Sequence, residues 1–473
     1  MSPSRERRVV CVDLDGTLIV GDLLWESIVR LFKSRPLALP SVVPALLKGR
    51  APFKRRVAAL APVDPARVAY RPELLAHLQQ LRVAGASLVL ATAADEGPAR
   101  AIADHLSLFD DVIASDGRTN LKGRAKADRL CARFGQGGFD YVGNDWADVE
   151  VWRVAGGVTA VAASPALAQH LEGSSMSARV LSARRSPLRA LIRALRPHQW
   201  AKNLLVFLPA MGAHTLGQLD AFTASLVTFT AFSFCASAIY ILNDILDIEA
   251  DRLHPRKCTR PFAAGDLSVP AGCVAAAVLL VAALLTVALN GSWPLGVVLL
   301  AYVATTSAYS VYLKREPVVD VFTLTALYVV RIVAGGVATG TPLSSWLLGF
   351  ALFFFLSLAF VKRYTELLTA TGGVPGRAYG AEDAPWIHAI GVCSGYMAGV
   401  VLALYVNAPD IVALYSRPQV LWSLCPLMLF WITRLWFRAS RGLIHDDPVV
   451  EALKDWVSYV TLTCIAVTML VAI

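Results

Sequence analysis

The sequence predicts a two-part chain: a parallel α/β domain over residues 1–165, a linker over 166–188, and an all-helical, membrane-spanning domain over 189–473. Three observations lead there. Short β-branched runs alternate with helical patterns through residues 8–165, as a parallel sheet with crossover helices requires. Most of the charge lies in the first 200 residues. Beyond Leu204 long apolar runs dominate: Phe222–Leu242, Val269–Leu289 and Trp293–Leu313 each hold 21 residues without Asp, Glu, Lys or Arg. A helix crossing a bilayer needs about 20 such residues.

Composition agrees. The 473 residues are 56% hydrophobic and only 17% charged, below the roughly one quarter usual in soluble domains. The net charge of +9 does not point to nucleic acid, because the basic residues punctuate the apolar runs instead of forming a stripe. The opening MSPSRERRVVCVDLDG lacks the long apolar core of a signal peptide, so the first domain is expected in the cytoplasm. The eight cysteines form no CxxC pair and read as small apolar residues in a reducing compartment.

Strands are expected at Arg8–Val12, Ser87–Ala91, Val112–Ala114, Tyr141–Val142 and Thr159–Ala162, with a proline-broken helical insertion or lid over Gly21–Pro72. Nine spans are expected in the second domain, at 203–219, 222–242, 269–289, 293–313, 321–340, 344–361, 387–407, 418–435 and 456–473. Loop charge tests this count independently. One set of loops carries Lys202, then Arg252, Arg256, Lys257 and Arg260, then Lys314 and Arg315, then Lys362, Arg363 and Arg377, then Arg438 and Arg441. The alternate set carries Arg417 alone. The positive-inside rule then places the basic loops and the N-terminal domain in the cytoplasm and the C-terminus outside.

Two motifs carry chemistry. In NDILDIEADRLHPRKCTRPFAAG (Asn243–Gly265), Asn243, Asp247 and Asp251 recur every four residues and are expected on one helix face. Acids at a membrane boundary are costly unless a cation offsets them, and an all-oxygen donor set suits Mg2+. Arg252, Lys257 and Arg260 follow, suited to diphosphate oxygens. In VVCVDLDGTL (Val9–Leu18), Asp13 and Asp15 close an apolar strand and can act as a pair on one phosphate. Arg331 lies inside an apolar span, where buried charge is usually paired or functional.

The first motif resembles the aspartate-rich motif of the UbiA superfamily of intramembrane prenyltransferases, over about residues 190–473. The resemblance implies that Asn243, Asp247 and Asp251 hold Mg2+ against a donor diphosphate. A second aspartate-rich motif normally follows; here YSVYLKREPVVDVFTLT keeps Asp320, with Leu324 where the next carboxylate would fall, and Tyr309 and Lys314 match flanking positions. RPHQWAKN (Arg196–Asn203), KRYTEL (Lys362–Leu367) and RGLIHDDP (Arg441–Pro448) resemble the decaprenyl-phosphate phosphoribosyltransferase branch. That branch implies phosphoribosyl diphosphate as donor and a polyprenyl phosphate as acceptor, with Lys202, Lys257, Arg260, Lys314, Lys362 and Arg363 as partners for their phosphates.

The second motif resembles the haloacid dehalogenase superfamily, a Rossmann-like fold most of whose members are phosphatases. The resemblance implies Asp13 as nucleophile and Asp15 as general acid/base. It makes Thr92 and either Lys122 or Lys126 ligands of the phosphoryl oxygens, and Asp148 a contributor to Mg2+ binding. YVGNDWAD (Tyr141–Asp148) departs from the usual Gly-Asp at Asn144, with Asp145 one place along.

The expected function is transfer of 5-phosphoribose to a polyprenyl phosphate, followed by removal of the 5-phosphate by the fused domain. The alternatives are transfer of an isoprenoid chain to an aromatic acceptor, disfavoured by Leu324, and a transporter or scaffold. A transporter would hold its ligand near the midplane; this acidic motif sits at the boundary.

Overall fold

The computed structural model describes residues 8–174, 178–181, 186–369, 378–413, 415–444, 447–452 and 454–472. Arg377, His445, Asp446, Ile473 and the first seven residues lie outside them. Two compact units emerge: Met1–Leu195 with Ile241–Ala275, and Arg196–Tyr240 with Ala276–Ile473. The segment Ile241–Ala275, which includes the aspartate-rich motif, thus packs with the α/β part.

The first unit is built on a six-stranded sheet: β1 Val9–Val12, β2 Ser87–Asp95, β3 Asp111–Ser115, β4 Asp140–Gly143, β5 Gly157–Ala160 and β6 Ala178–Val180. All pairings are parallel, in the order β3-β2-β1-β4-β5-β6. Alternation along the strands builds a core on each face. Val10, Val12, Leu88 and Leu90 face one side with Val142, while Cys11, Val89 and Ala91 face the other with Tyr141 and Ala160. Burial on both faces is why VVCV and SLVLA read as unbroken apolar runs.

The five expected strands are present. The sixth lies in the stretch 166–188 expected as linker, where Pro165–Glu172 is also helical. Ala178–Val180 pairs with β5, Val158 opposite Ala178, so ladder hydrogen bonds order a segment whose composition alone suggests a loop. The expected lid contains α1 Leu23–Ser34 and α2 Arg50–Leu60, joined through Leu31, Val42, Val57 and Ala61. All eight cysteines are free, and burial pushes the Cys11 thiol up to about 12, which fits an apolar role.

Seven helices among the described residues are long and apolar enough to cross a membrane: Leu219–Leu246, Val269–Leu289, Trp293–Val311, Val319–Thr339, Ser345–Leu368, Ala381–Val406 and Pro418–Ser440. The last expected span is the apolar helix Trp456–Ala472, shorter at 17 residues. The first, 203–219, is no continuous helix: a 3-10 stretch, Pro197–Phe207, gives way to the short helix Leu208–Gly212. Pro209 lacks the amide a longer ladder would need. Outward-facing Val278, Val281 and Leu285 on the Val269–Leu289 helix are more than half exposed, as a lipid-facing surface should be.

Within the second unit, Gly335 sets how close the 3-10 stretch can come. A Cβ there would lie 2.0 Å from the Val206 carbonyl oxygen, whereas one at Gly349 would meet only Val401 Cγ1 at 3.6 Å. Gly335→Ala should therefore force the backbone apart and cost about 1–3 kcal/mol, with Gly349→Ala near neutral. Thermal unfolding of both variants in one detergent checks this; equal stabilities would contradict the packing.

Candidate functional sites

In the first unit the chemistry gathers at the carboxyl ends of β1 and β4, where the strand order reverses, the usual ligand position in such sheets. Asp13 follows β1, and its amide donates to the Val142 carbonyl at 2.9 Å. Lys126 is buried and donates to Asp13 Oδ1 at 2.7 Å and to the Tyr141 hydroxyl at 2.7 Å, with Asp148 Oδ1 3.7 Å away. The Tyr141 hydroxyl donates to Asp148 Oδ1 at 2.9 Å, and Asp148 Oδ2 accepts the Asn144 and Asp145 amides at 2.9 and 3.1 Å. Between the two lysines the sequence left open, Lys126 holds the carboxylates. Lys122 is exposed on the rim of the same cleft.

Electrostatics follow from burial. Desolvation pushes the Asp13 carboxyl up to about 6, with Lys126 pulling it back. Desolvation, with Asp22 adding repulsion, holds Asp15 well above the carboxylate range. Burial opposes the Lys126 charge, but Asp13 and Asp148 outweigh it and raise its pKa. Asp15 Oδ1 accepts the Leu23 amide at 2.9 Å, tying the second acid to the start of α1. Thr92 is fully buried and accepts the Ala94 amide at 3.0 Å.

Lys54, from α2, went unnoticed in the sequence. Its ammonium reaches the Ala93 carbonyl at 2.6 Å and Asn120 Oδ1 at 2.9 Å on the cleft wall. Nothing in the basic run around it marks one lysine as turned inward. Asp13, Asp15, Asn144 and Asp148 all carry oxygen atoms of the kind Mg2+ takes. Through the hydrogen bonds its two oxygens accept, Asp148 also orients the Tyr141 hydroxyl beside Lys126 and the Asn144 loop.

The aspartate-rich segment also departs from simple stacking. The Leu219–Leu246 helix breaks at Asp247 (φ −101°, ψ 10°) and resumes as Ile248–Leu253. The acids brought together are Asp244 and Asp251, both buried, which share the Arg260 guanidinium at 3.1 and 2.8 Å. Asp244 was the missed residue; its signal was the seven-residue, two-turn spacing to Asp251. Asn243 is half-buried, Asp247 pairs with Lys33 at 3.4 Å, and Lys257 is exposed. Arg252 instead makes a bidentate ion pair with Glu26, at 2.7 and 3.0 Å. Asn243, Asp244, Asp247 and Asp251 are an oxygen donor set of the kind Mg2+ takes. Among the described residues no three acidic, imidazole or thiol groups converge as a preformed cage.

Two charged clusters in the second unit involve expected site residues, and a further one joins Arg434 and Arg438 to Asp455 and Glu451. Asp447 accepts from Lys202 at 2.6 Å and Lys362 at 3.3 Å, with the Tyr328 hydroxyl at 3.4 Å. Among the described residues, two ammonium groups thus share this carboxylate. Arg331 donates to Asn203 Oδ1 at 2.7 Å and to the Tyr302 hydroxyl at 3.0 Å. In the other cluster Arg363 and Asp320, both fully buried, form an ion pair at 2.8 Å, and the Tyr379 hydroxyl donates to Asp320 at 2.7 Å, while among the described residues Arg363 Nε and Nη2 make no hydrogen bond. Arg363 also pairs with Glu366. Tyr309 and Lys314 are half-buried around the end of the Trp293–Val311 helix. Asp447 lies in RGLIHDDP, a motif legible in the sequence although this residue's role was not.

A parallel sheet with paired acids at its switch point defines an α/β unit, and it is joined to a helical region that carries an aspartate-rich break. Residues 203–448 match the UbiA prenyltransferase family, and the chain belongs to that family as an integral membrane protein.

The chain is 36% identical to the uncharacterized protein y4nM of Sinorhizobium fredii, over 96% of this chain and 89% of that one. It is 34% identical to the nodulation protein NoeC of Azorhizobium caulinodans, over 59% and 92%. The decaprenyl-phosphate phosphoribosyltransferase of Mycolicibacterium smegmatis is 33% identical over 56% and 86%. Among solved structures, a UbiA homologue from Archaeoglobus fulgidus bound to DMAPP and Mg2+ aligns with 59% of this chain and 99% of that one, at 16% identity and TM-score 0.47. An apo phosphoserine phosphatase aligns with 37% and 94%, at 15% identity and TM-score 0.28.

If Asp320 serves to neutralise Arg363, Asp320→Ala should cost about 3–5 kcal/mol by stranding a buried charge. Replacing both by Leu should recover most of that loss. Unfolding in detergent of the single and double variants checks it. A double variant as unstable as the single one would contradict the assignment.

Proposed function

We propose that the membrane-spanning region transfers 5-phosphoribose from phosphoribosyl diphosphate to a polyprenyl phosphate at the cytoplasmic face. The haloacid dehalogenase-type unit then removes the 5-phosphate. The observation that carries the reading is the closure of Asp320 on Arg363 and Tyr379, with Leu324 in place of a second carboxylate. Among the described residues of the matched region, the Asn243–Asp251 segment then remains to serve a metal-bound diphosphate, while Lys202, Lys362 and Arg331 offer positive charge for further phosphates. Identity to decaprenyl-phosphate phosphoribosyltransferases supports the same donor and acceptor classes.

In the transfer step an acceptor phosphate oxygen attacks C1 of the ribose, and the bond from C1 to the diphosphate breaks. Mg2+, held by Asn243, Asp244, Asp247 and Asp251, would supply charge neutralisation for the departing diphosphate. Arg260 already spans two of these acids and adds a guanidinium for the same oxygens. In the second step an Asp13 oxygen attacks phosphorus, and the ester bond to the ribose 5-oxygen breaks. That oxygen takes the Asp15 proton. Water then cleaves the aspartyl phosphate and returns a proton to Asp15. Lys126 keeps Asp13 oriented, and Lys54 and Lys122 line the approach.

The test is donor choice. Purified protein in lipid vesicles with Mg2+ and polyprenyl phosphate should move label from phosphoribosyl diphosphate into lipid. Asp247→Ala should lower the rate by about 100-fold, since a metal ligand and the metal's orientation are lost together. Incorporation from prenyl diphosphates but not from phosphoribosyl diphosphate would overturn the reading in favour of an isoprenoid transferase.

A further inference from the structure

The cleft over Asp13 and Asp15 has a volume of about 790 Å3, and the residues around it come from two distant parts of the sequence. One side is the catalytic loop and α1. The other is the segment Ala264–Pro270, which begins at the end of the aspartate-rich motif. Val269 and Pro270 are also the first two residues of the membrane-crossing helix Val269–Leu289. The outer wall of this cleft therefore runs straight into a bilayer span.

Specific contacts hold the wall there. Glu26 and Arg30, one turn apart on α1, face Arg252 and Glu249, which are three residues apart on the Ile248–Leu253 helix. Arg252 grips Glu26 with both nitrogens, each side chain 8% exposed or less, and its Nε donates to the Ala263 carbonyl at 3.3 Å. Arg30 donates to Glu249 Oε1 at 3.0 and 2.8 Å. Gly265, at φ +70°, lies so close to Val20 that a Cβ would sit 2.5 Å from the Val20 carbonyl oxygen. A buried ion pair is costly to form unless its geometry is good, and this one joins α1, whose first amide holds Asp15, to the wall.

We infer that Ala264–Pro270 is the specificity wall of this phosphatase cleft, that it admits phosphomonoesters anchored in the bilayer, and that the Glu26–Arg252 pair is its positioning contact. The inference rests on the proposed phosphatase step and adds what selects the substrate. A lipid-linked sugar phosphate reaches Asp13 with its lipid still in the membrane, and its glycosyl portion lies along the wall. A small soluble phosphate ester needs only the catalytic loop.

The experiment compares two substrates on full-length protein in vesicles with Mg2+: p-nitrophenyl phosphate, and polyprenyl-phosphoryl-5-phosphoribose incorporated in the vesicle. Ser268 is exposed on the wall, so Ser268→Trp narrows the cleft without disturbing the interior. It should raise KM for the lipid substrate by about tenfold or more, leave its kcat within a fewfold, and leave p-nitrophenyl phosphate hydrolysis near that of wild type. Glu26→Gln should shift KM in the same direction by releasing the wall. Equal effects of Ser268→Trp on both substrates, or on neither, overturn the inference while the phosphatase reading stands. Wild-type protein that cleaves p-nitrophenyl phosphate but never the lipid overturns both.

Discussion

A charge held away from water needs a counter-charge close by, and the functional anatomy of this protein is arranged around that constraint. Lys126 is buried in the first unit because Asp13 and Asp148 neutralise it. Arg252 is buried because Glu26 meets both its nitrogens. Arg363 sits at zero exposure beside Asp320, and Asp447 is matched by two lysines. Isolated, any of these ions would carry a desolvation cost of several kcal/mol.

The pairs differ in what they leave over. Arg363 and Asp320 neutralise each other's charge, with Tyr379 and Glu366 beside them. Among the described residues, Lys202 and Lys362 share one carboxylate. Asp244 and Asp251 share one guanidinium and keep acceptor capacity, which suits a divalent cation. Lys126 serves two carboxylates and a phenol, so Asp13 is oriented while Asp15 stays protonated more readily than an exposed acid.

The sheet was legible because strands buried on both faces read as apolar runs. The membrane spans were legible because a bilayer demands length and the absence of charge. β6 was not, since three residues at a sheet edge leave no run, and their order comes from pairing with β5. The first expected span, 203–219, was misread because its apolar residues fold as the end of a 3-10 stretch and the short helix Leu208–Gly212. In the sites, Asp13, Asp15 and the aspartate-rich segment stood out by residue type and spacing. The choice of Lys126 over Lys122 needed the phase of the helix Arg124–Phe134, whereas the two-turn spacing of Asp244 to Asp251 was there to be read. The Glu26–Arg252 pair, 226 residues apart, has no local signature at all.

The central claim is that the two sites work in sequence on one lipid. Its most direct measurement is the ratio of phosphorylated to free ribosyl lipid in vesicles given labelled phosphoribosyl diphosphate and polyprenyl phosphate. Asp13→Asn keeps the side chain's shape and removes the nucleophile, so transfer should continue while the lipid-linked 5-phosphoribose accumulates. The wild-type protein should convert it to the free ribosyl lipid. The same ratio from wild type and Asp13→Asn would contradict the account.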